Sequence, residues 1–161
     1  MGLTVVYAGT FDPVTYGHID LIERGRRTVD KLILAVAESR DKKPLFTLEE
    51  RVEILREVAK DMPEVEVDSF TGLLVDYMMK RSARVILRGL RALSDFEHEF
   101  QIALTNRKLN GEIETIFMMP KEEYSYISSS ILKEIVRLGG DATEFVPLFV
   151  QKKLEEKLRL R

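Results

Sequence analysis

Five short segments, residues 3–8, 31–37, 65–70, 84–88 and 113–119, concentrate Val, Ile, Leu and Phe, and several are apolar at consecutive rather than alternate positions. That pattern belongs to strands buried on both faces of a parallel sheet. Between them the apolar residues fall into helical spacing. Ile19, Ile22 and Val29 line one face of a segment starting near Gly17, and Leu48, Val52, Leu55 and Ala59 line another that stops at Met62-Pro63. Thr47-Leu48-Glu49-Glu50 has the form of a capping box, and Ser94-Asp95-Phe96-Glu97 predicts a second one ahead of Phe96, Phe100, Ala103 and Leu104. Shorter helices are expected over residues 73–80 and 129–138, the latter before Gly139-Gly140, and a last one after Pro147.

Strands that alternate with helices require right-handed crossovers. The expectation is therefore an α/β fold: a Rossmann-like, doubly wound five-stranded parallel sheet with helices on both faces, in one domain over residues 1–161. Such a sheet binds ligands at the carboxyl ends of its strands, near the switch in strand order. Those ends carry residues 8–10, 39–43, 71–74, 88–91 and 120–130.

Composition narrows the classes further. Of 161 residues 45% are hydrophobic and 32% charged, with a net charge of -2, too apolar and too balanced for a disordered chain. The same balance argues against a broad nucleic-acid-binding face. No cysteine is present, which removes disulfides, thiolate metal sites and cysteine nucleophiles. The longest apolar run, residues 32–37, is far below the roughly 20 residues of a membrane helix, so a soluble cytoplasmic protein is expected.

The candidate chemistry lies at the expected ligand edge. After the first strand come Gly9-Thr10-Phe11-Asp12-Pro13 and Thr15-Tyr16-Gly17-His18, in which glycine permits close backbone approach and His18 falls at a helix start able to donate toward phosphate. Ile127-Ser128-Ser129-Ser130 forms a second helix start of that kind, although serine is also an ordinary cap. Arg88-Gly89-Leu90-Arg91 sets two guanidinium groups around a glycine after the fourth strand, and Lys42-Lys43 follows the second. With two histidines and no dense carboxylate cluster, no transition-metal site built by the protein is expected, and any Mg2+ should arrive with phosphates.

These elements together resemble bacterial phosphopantetheine adenylyltransferases of the nucleotidyltransferase superfamily, over almost the whole chain. The Thr15-Tyr16-Gly17-His18 element alone marks the superfamily and leaves the acceptor open. Lys42 to Arg51, Arg88 to Ala92 and Ile127 to Ser130 carry the narrower likeness. The resemblance implies transfer of the adenylyl group of ATP to 4′-phosphopantetheine, giving dephospho-coenzyme A and pyrophosphate. By that resemblance His18, Thr10, Lys42 and Arg91 are catalytic, and Thr10, Lys42, Leu74, Arg88, Thr105 and Asn106 bind the acceptor. ATP is expected on Gly9, Thr10, Phe11, His18, Gly89, Leu90, Arg91, Glu99, Tyr124, Ser125, Tyr126, Ile127, Ser128, Ser129 and Ser130. A homohexamer and feedback inhibition by coenzyme A are implied as well, with neither nucleic acid nor membrane as partner. The alternatives are another acceptor, such as nicotinate mononucleotide or a cytidylyl-transfer substrate, and a non-catalytic ATP-binding module of the same fold.

Overall fold

A computed structural model describes residues 2–39 and 43–159. Strands β1 (Thr4–Gly9), β2 (Lys31–Ala37), β3 (Val65–Phe70), β4 (Val85–Gly89) and β5 (Glu114–Met118) lie where the apolar runs predict them, each within a residue or two. All pair in parallel, in the order β3-β2-β1-β4-β5. The chain winds outward from β1 to β3 and then returns to β4 on the other side of β1. The strand order therefore reverses between β1 and β4, where Val5, Val6 and Tyr7 face Val85, Ile86 and Leu87.

Alternate residues of β1 enter opposite cores, as the period of two in a strand demands. Val5 and Tyr7 join Leu21, Ile22, Leu55, Leu132 and Val150 on one face, packed by α1 (Tyr16–Gly25), α2 (Leu48–Ala59), α5 (Ser129–Arg137) and α6 (Leu148–Arg159). Val6 and Ala8 join Ile33, Ile86, Val75 and Met78 on the other, covered by α3 (Leu74–Lys80), with α4 (Leu93–Leu109) beside α3 and β5. Two covered faces explain the near-continuous apolar runs.

Helix ends show where local signals decide and where they do not. The Thr47 box forms: Glu50 N–H donates to the Thr47 hydroxyl at 3.2 Å, and Thr47 N–H to the Glu50 carboxylate at 2.8 Å. Ser94, expected to cap α4, is not its cap residue. α4 starts one residue before Ser94, with Ala92 as its cap, and Asp95 instead accepts from the Arg91 backbone N–H and guanidinium. Val29 also lies beyond α1, which stops at Gly25. There the Thr28 N–H and hydroxyl both donate to the Gly25 carbonyl, closing a turn. The expected apolar face of α4 is only partly buried, because Phe96, Phe100 and Leu104 stand 45–47% exposed.

Candidate active site

The crevice opens where the strand order predicts it, at the carboxyl ends of β1 and β4. It has a lobe of about 440 Å³ and a smaller one of about 220 Å³, and both are lined by Ala8, Gly9, Thr10, Arg88 and Glu99. Thr10 and Arg88 thus stand at the junction of two compartments. The larger lobe gathers loop and helix-start residues, whereas the smaller is walled mainly by Phe70, Leu74, Ile102, Ala103 and Asn106.

The β1–α1 loop builds the floor. Phe11 adopts a left-handed φ of 50°, and its ring meets the rings of Tyr7 and His18 edge-on, each with centroids 5.2 Å apart. A Cβ on Gly9 would lie 3.2 Å from that ring, so glycine leaves room for the fold-back. Thr15 caps α1, and His18 occupies the third helical position, where it closes the capping box that Glu or Gln usually closes. Thr15 N–H donates to His18 Nδ1 at 3.0 Å. In the neutral ring the proton therefore resides on Nε2, making that nitrogen the donor.

Burial, followed by the positive charges of Arg91 and Arg88, lowers the His18 pKa from 6.5 to about 4. The amino end of α1 acts in the same direction. His18 is consequently a neutral donor near pH 7 in the ligand-free protein.

Two arginines frame the cavity. Arg88 grips Glu99 through Nε at 2.8 Å and Nη2 at 2.7 Å, and also donates to the Ala8 carbonyl. Burial opposes its charge, but the Glu99 carboxylate outweighs that and keeps Arg88 protonated. Burial also pushes the Tyr7 phenol far above its ordinary range, so Tyr7 stays neutral. Arg91 pairs with Asp95 at 3.1 Å and donates to the Ile127 carbonyl at 3.2 Å, tying the start of α4 to the serine segment.

The three serines have separate tasks. Ser128 caps α5 by accepting from Ile131 N–H at 3.2 Å, Ser129 donates to the Pro13 carbonyl at 2.9 Å, and Ser130 is exposed. Nearby, buried Asp20 accepts from Lys121 N–H at 3.0 Å and holds the segment that carries Tyr124, whose ring lies 5.9 Å from that of Tyr16.

Of the residues expected at the site, Gly9, Thr10, Phe11, His18, Arg88, Gly89, Arg91, Glu99, Tyr124 and Ile127 to Ser130 line the larger lobe, and Leu74 and Asn106 the smaller. Lys42 lies outside the described residues. Leu90, Ser125 and Tyr126 line neither lobe, and Thr105 donates its hydroxyl back to the Gln101 carbonyl at 2.8 Å. Glu99, expected on ATP, has both carboxylate oxygens engaged by Arg88.

Sequence reasoning did not single out Asp12, Arg51 or Lys133. Asp12, 5% exposed, accepts from Leu45 N–H at 2.8 Å, Phe46 N–H at 2.9 Å and Lys133 Nζ at 2.8 Å. Fully buried Arg51 donates to the carbonyls of Thr10 at 2.8 Å, Ala37 at 3.0 Å and Phe46 at 3.3 Å. The one available signal was an acid inside a loop otherwise suited to phosphate.

Comparison with known proteins agrees with this architecture. A family model described as cytidylyltransferase-like matches residues 6–135. The phosphopantetheine adenylyltransferase of Caldanaerobacter subterraneus subsp. tengcongensis is 56% identical over 154 residues, covering 96% of each chain. That of Thiobacillus denitrificans is 52% identical over 157 residues, covering 98% of each. Among solved structures, a Vibrio parahaemolyticus protein provisionally described as a nicotinate-nucleotide adenylyltransferase superposes with a TM-score of 0.70 at 16% identity, covering 96% of this chain and 99% of its own, a likeness of fold.

Proposed function

Because the chain belongs to the phosphopantetheine adenylyltransferase family, within the cytidylyltransferase-like group, we propose that residues 1–161 form one nucleotidyltransferase domain that joins ATP and 4′-phosphopantetheine into dephospho-coenzyme A and pyrophosphate. The observation that carries the site assignment is the crevice itself: two lobes meeting at Thr10 and Arg88, one for each substrate. ATP occupies the larger lobe, with its phosphates over the amino ends of α1 and α5, where free backbone N–H groups favour anions. The acceptor extends along Leu74 and Asn106 in the smaller lobe and brings its phosphate to Thr10 and Arg88, with Lys42 adding a point charge.

An oxygen of the acceptor phosphate attacks the α-phosphorus of ATP in line. The new P–O bond forms as the bond to the bridging oxygen of the β-phosphate breaks, and that electron pair leaves with pyrophosphate. The nucleophile is already an anion, so no proton has to be removed; positioning and charge stabilisation are the tasks left to the protein. His18 Nε2–H donates to the α-phosphoryl oxygens as charge accumulates there. Arg91 and the Ser129 and Ser130 N–H groups receive the leaving pyrophosphate.

The group's chemistry uses a divalent cation with ATP, and we assign Mg2+ here. Among the described residues no cluster of three or more His, Asp or Glu side chains is arranged to hold a metal. The lobe's carboxylates Asp12, Asp95 and Glu99 are each engaged by Lys133, Arg91 or Arg88. Such a donor set suits an ion carried by the phosphate oxygens of ATP itself, where it neutralises charge on the reacting groups.

Assembly as a homohexamer is part of the same reading. It is supported by the exposed stripe of Phe96, Phe100 and Leu104 on α4, spaced four residues apart, and by β5, which among the described residues is an edge strand beside β4. Coenzyme A, which contains both joined halves of the product, suits a crevice of two lobes and is the expected feedback inhibitor. A cytoplasmic location belongs to the same proposal; no helix among the described residues is long and apolar enough to cross a membrane. The test is pyrophosphate release from ATP and Mg2+ with 4′-phosphopantetheine, run beside nicotinate mononucleotide and a control lacking acceptor. Release that depends on 4′-phosphopantetheine, with dephospho-coenzyme A identified by mass, is expected. Release only with the other acceptor, or none despite ATP binding, would overturn the assignment.

A further inference from the structure

A carboxylate in a cavity built for a triphosphate is out of place on charge alone, since it repels the ligand. Asp12 nevertheless lines the larger lobe and is almost wholly buried. Its hydrogen bonds explain the choice. Three donors converge on its two oxygens: the backbone N–H groups of Leu45 and Phe46 and the ammonium of Lys133. Only a carboxylate accepts all three; the amide of asparagine would turn its own N–H groups against a donor.

The donors and their acceptor join three different segments at the edge of the crevice. Leu45 and Phe46 end the connection that leaves β2, Lys133 lies on α5, and Asp12 belongs to the β1–α1 loop. Lys133 is one helical turn beyond Ser129, so both project from one side of α5, and both dock on that loop, Ser129 at the Pro13 carbonyl and Lys133 at Asp12. Arg51 fastens the same assembly from beneath, through the carbonyls of Thr10, Ala37 and Phe46. Phe46 is thus held at both its N–H and its C=O.

Resting on the adenylyl-transfer reading above, we infer that Asp12 is a positioning residue for that reaction. Its carboxylate locks the β1–α1 loop, the Leu45-Phe46 segment and the amino end of α5 into one cradle, with Lys133 acting through Asp12 rather than on the nucleotide.

The test compares Asp12→Asn, Lys133→Met and the double variant. The measurements are kcat and KM for ATP at saturating 4′-phosphopantetheine, ATP Kd by calorimetry, and exchange of the Leu45 and Phe46 amide hydrogens. Asp12→Asn should lower kcat/KM for ATP by about a hundredfold, the loss expected of misplaced reacting groups, and Lys133→Met by about tenfold. The double variant should match Asp12→Asn within about threefold, as residues acting as one unit do. Exchange at Leu45 and Phe46 should quicken in Asp12→Asn and not in Lys133→Met. A merely structural role would reduce the folded fraction and leave KM for ATP unchanged. A folded Asp12→Asn with normal kcat/KM, or single losses that multiply in the double variant, would overturn the inference. Should Asp12→Asn not fold, Lys133→Arg should restore what Lys133→Met loses, and a normal KM for ATP in Lys133→Met would be the refuting result. If the wild type fails to transfer to 4′-phosphopantetheine, the reaction assignment falls alone, because amide exchange and ATP Kd still read the cradle.

Discussion

Glu99→Gln separates two roles for a carboxylate that lines both lobes. In the structure both its oxygens bind Arg88, at 2.7 and 2.8 Å, and the side chains of Glu99 and Arg88 are 10% and 26% exposed. Removing one charge of a buried pair costs about 3–5 kcal/mol. Gln retains one acceptor and Arg88 keeps partial contact with water, so about 2 kcal/mol is the appropriate figure. For a chain of this size that corresponds to a fall in Tm of about 4–8 °C. In the proposed binding mode a loosened guanidinium at the junction also misplaces the acceptor phosphate. The KM for 4′-phosphopantetheine should therefore rise about tenfold while that for ATP changes by less than about twofold, the pattern of lost binding on one substrate only. Urea denaturation together with initial rates in each substrate measures both effects. Unchanged stability, or a KM change confined to ATP, would show that Glu99 acts on the nucleotide and not through Arg88.

Further outcomes are expected at three positions. His18→Ala should reduce kcat by about a hundredfold or more with ATP Kd nearly intact, because in the proposed mechanism the imidazole acts on charge that develops in the transition state; NMR of the wild type should place the ligand-free His18 titration near pH 4. The folded protein binds that proton more weakly than the unfolded chain, so the stability due to neutral His18 is complete above pH 6.5 and is lost as pH falls toward 4. Gly89→Ala places a Cβ 2.7 Å from Leu21 Cδ1 inside the core and should cost about 1–3 kcal/mol in urea denaturation, an unchanged midpoint refuting the close-packing argument. Phe100→Glu should dissociate the proposed hexamer in analytical ultracentrifugation, and an intact assembly would exclude the α4 stripe as its contact.

Much of this molecule was legible in one dimension. Strand and helix positions follow from side-chain periods and caps, which depend on neighbours one to four residues away. The Thr47 box and the five apolar runs therefore recur nearly unchanged in the structure. The loops that line the crevice were legible for the same reason, since a glycine, a hydroxyl and a helix start act within a few residues. Local rules misjudged α1 beyond Gly25, the start of α4 and the face of α4, where competing partners lie in a turn or across the sheet. Neither the strand order nor the bonding of polar side chains has a local signature. Asp12 and Lys133 are 121 residues apart and meet only because β1 and β4 are adjacent and the helices after β1 and β5 pack on one face. Periodicity states which side of an element is apolar; which strand ends converge, and which buried charge finds which partner, is settled by the packing of the whole chain.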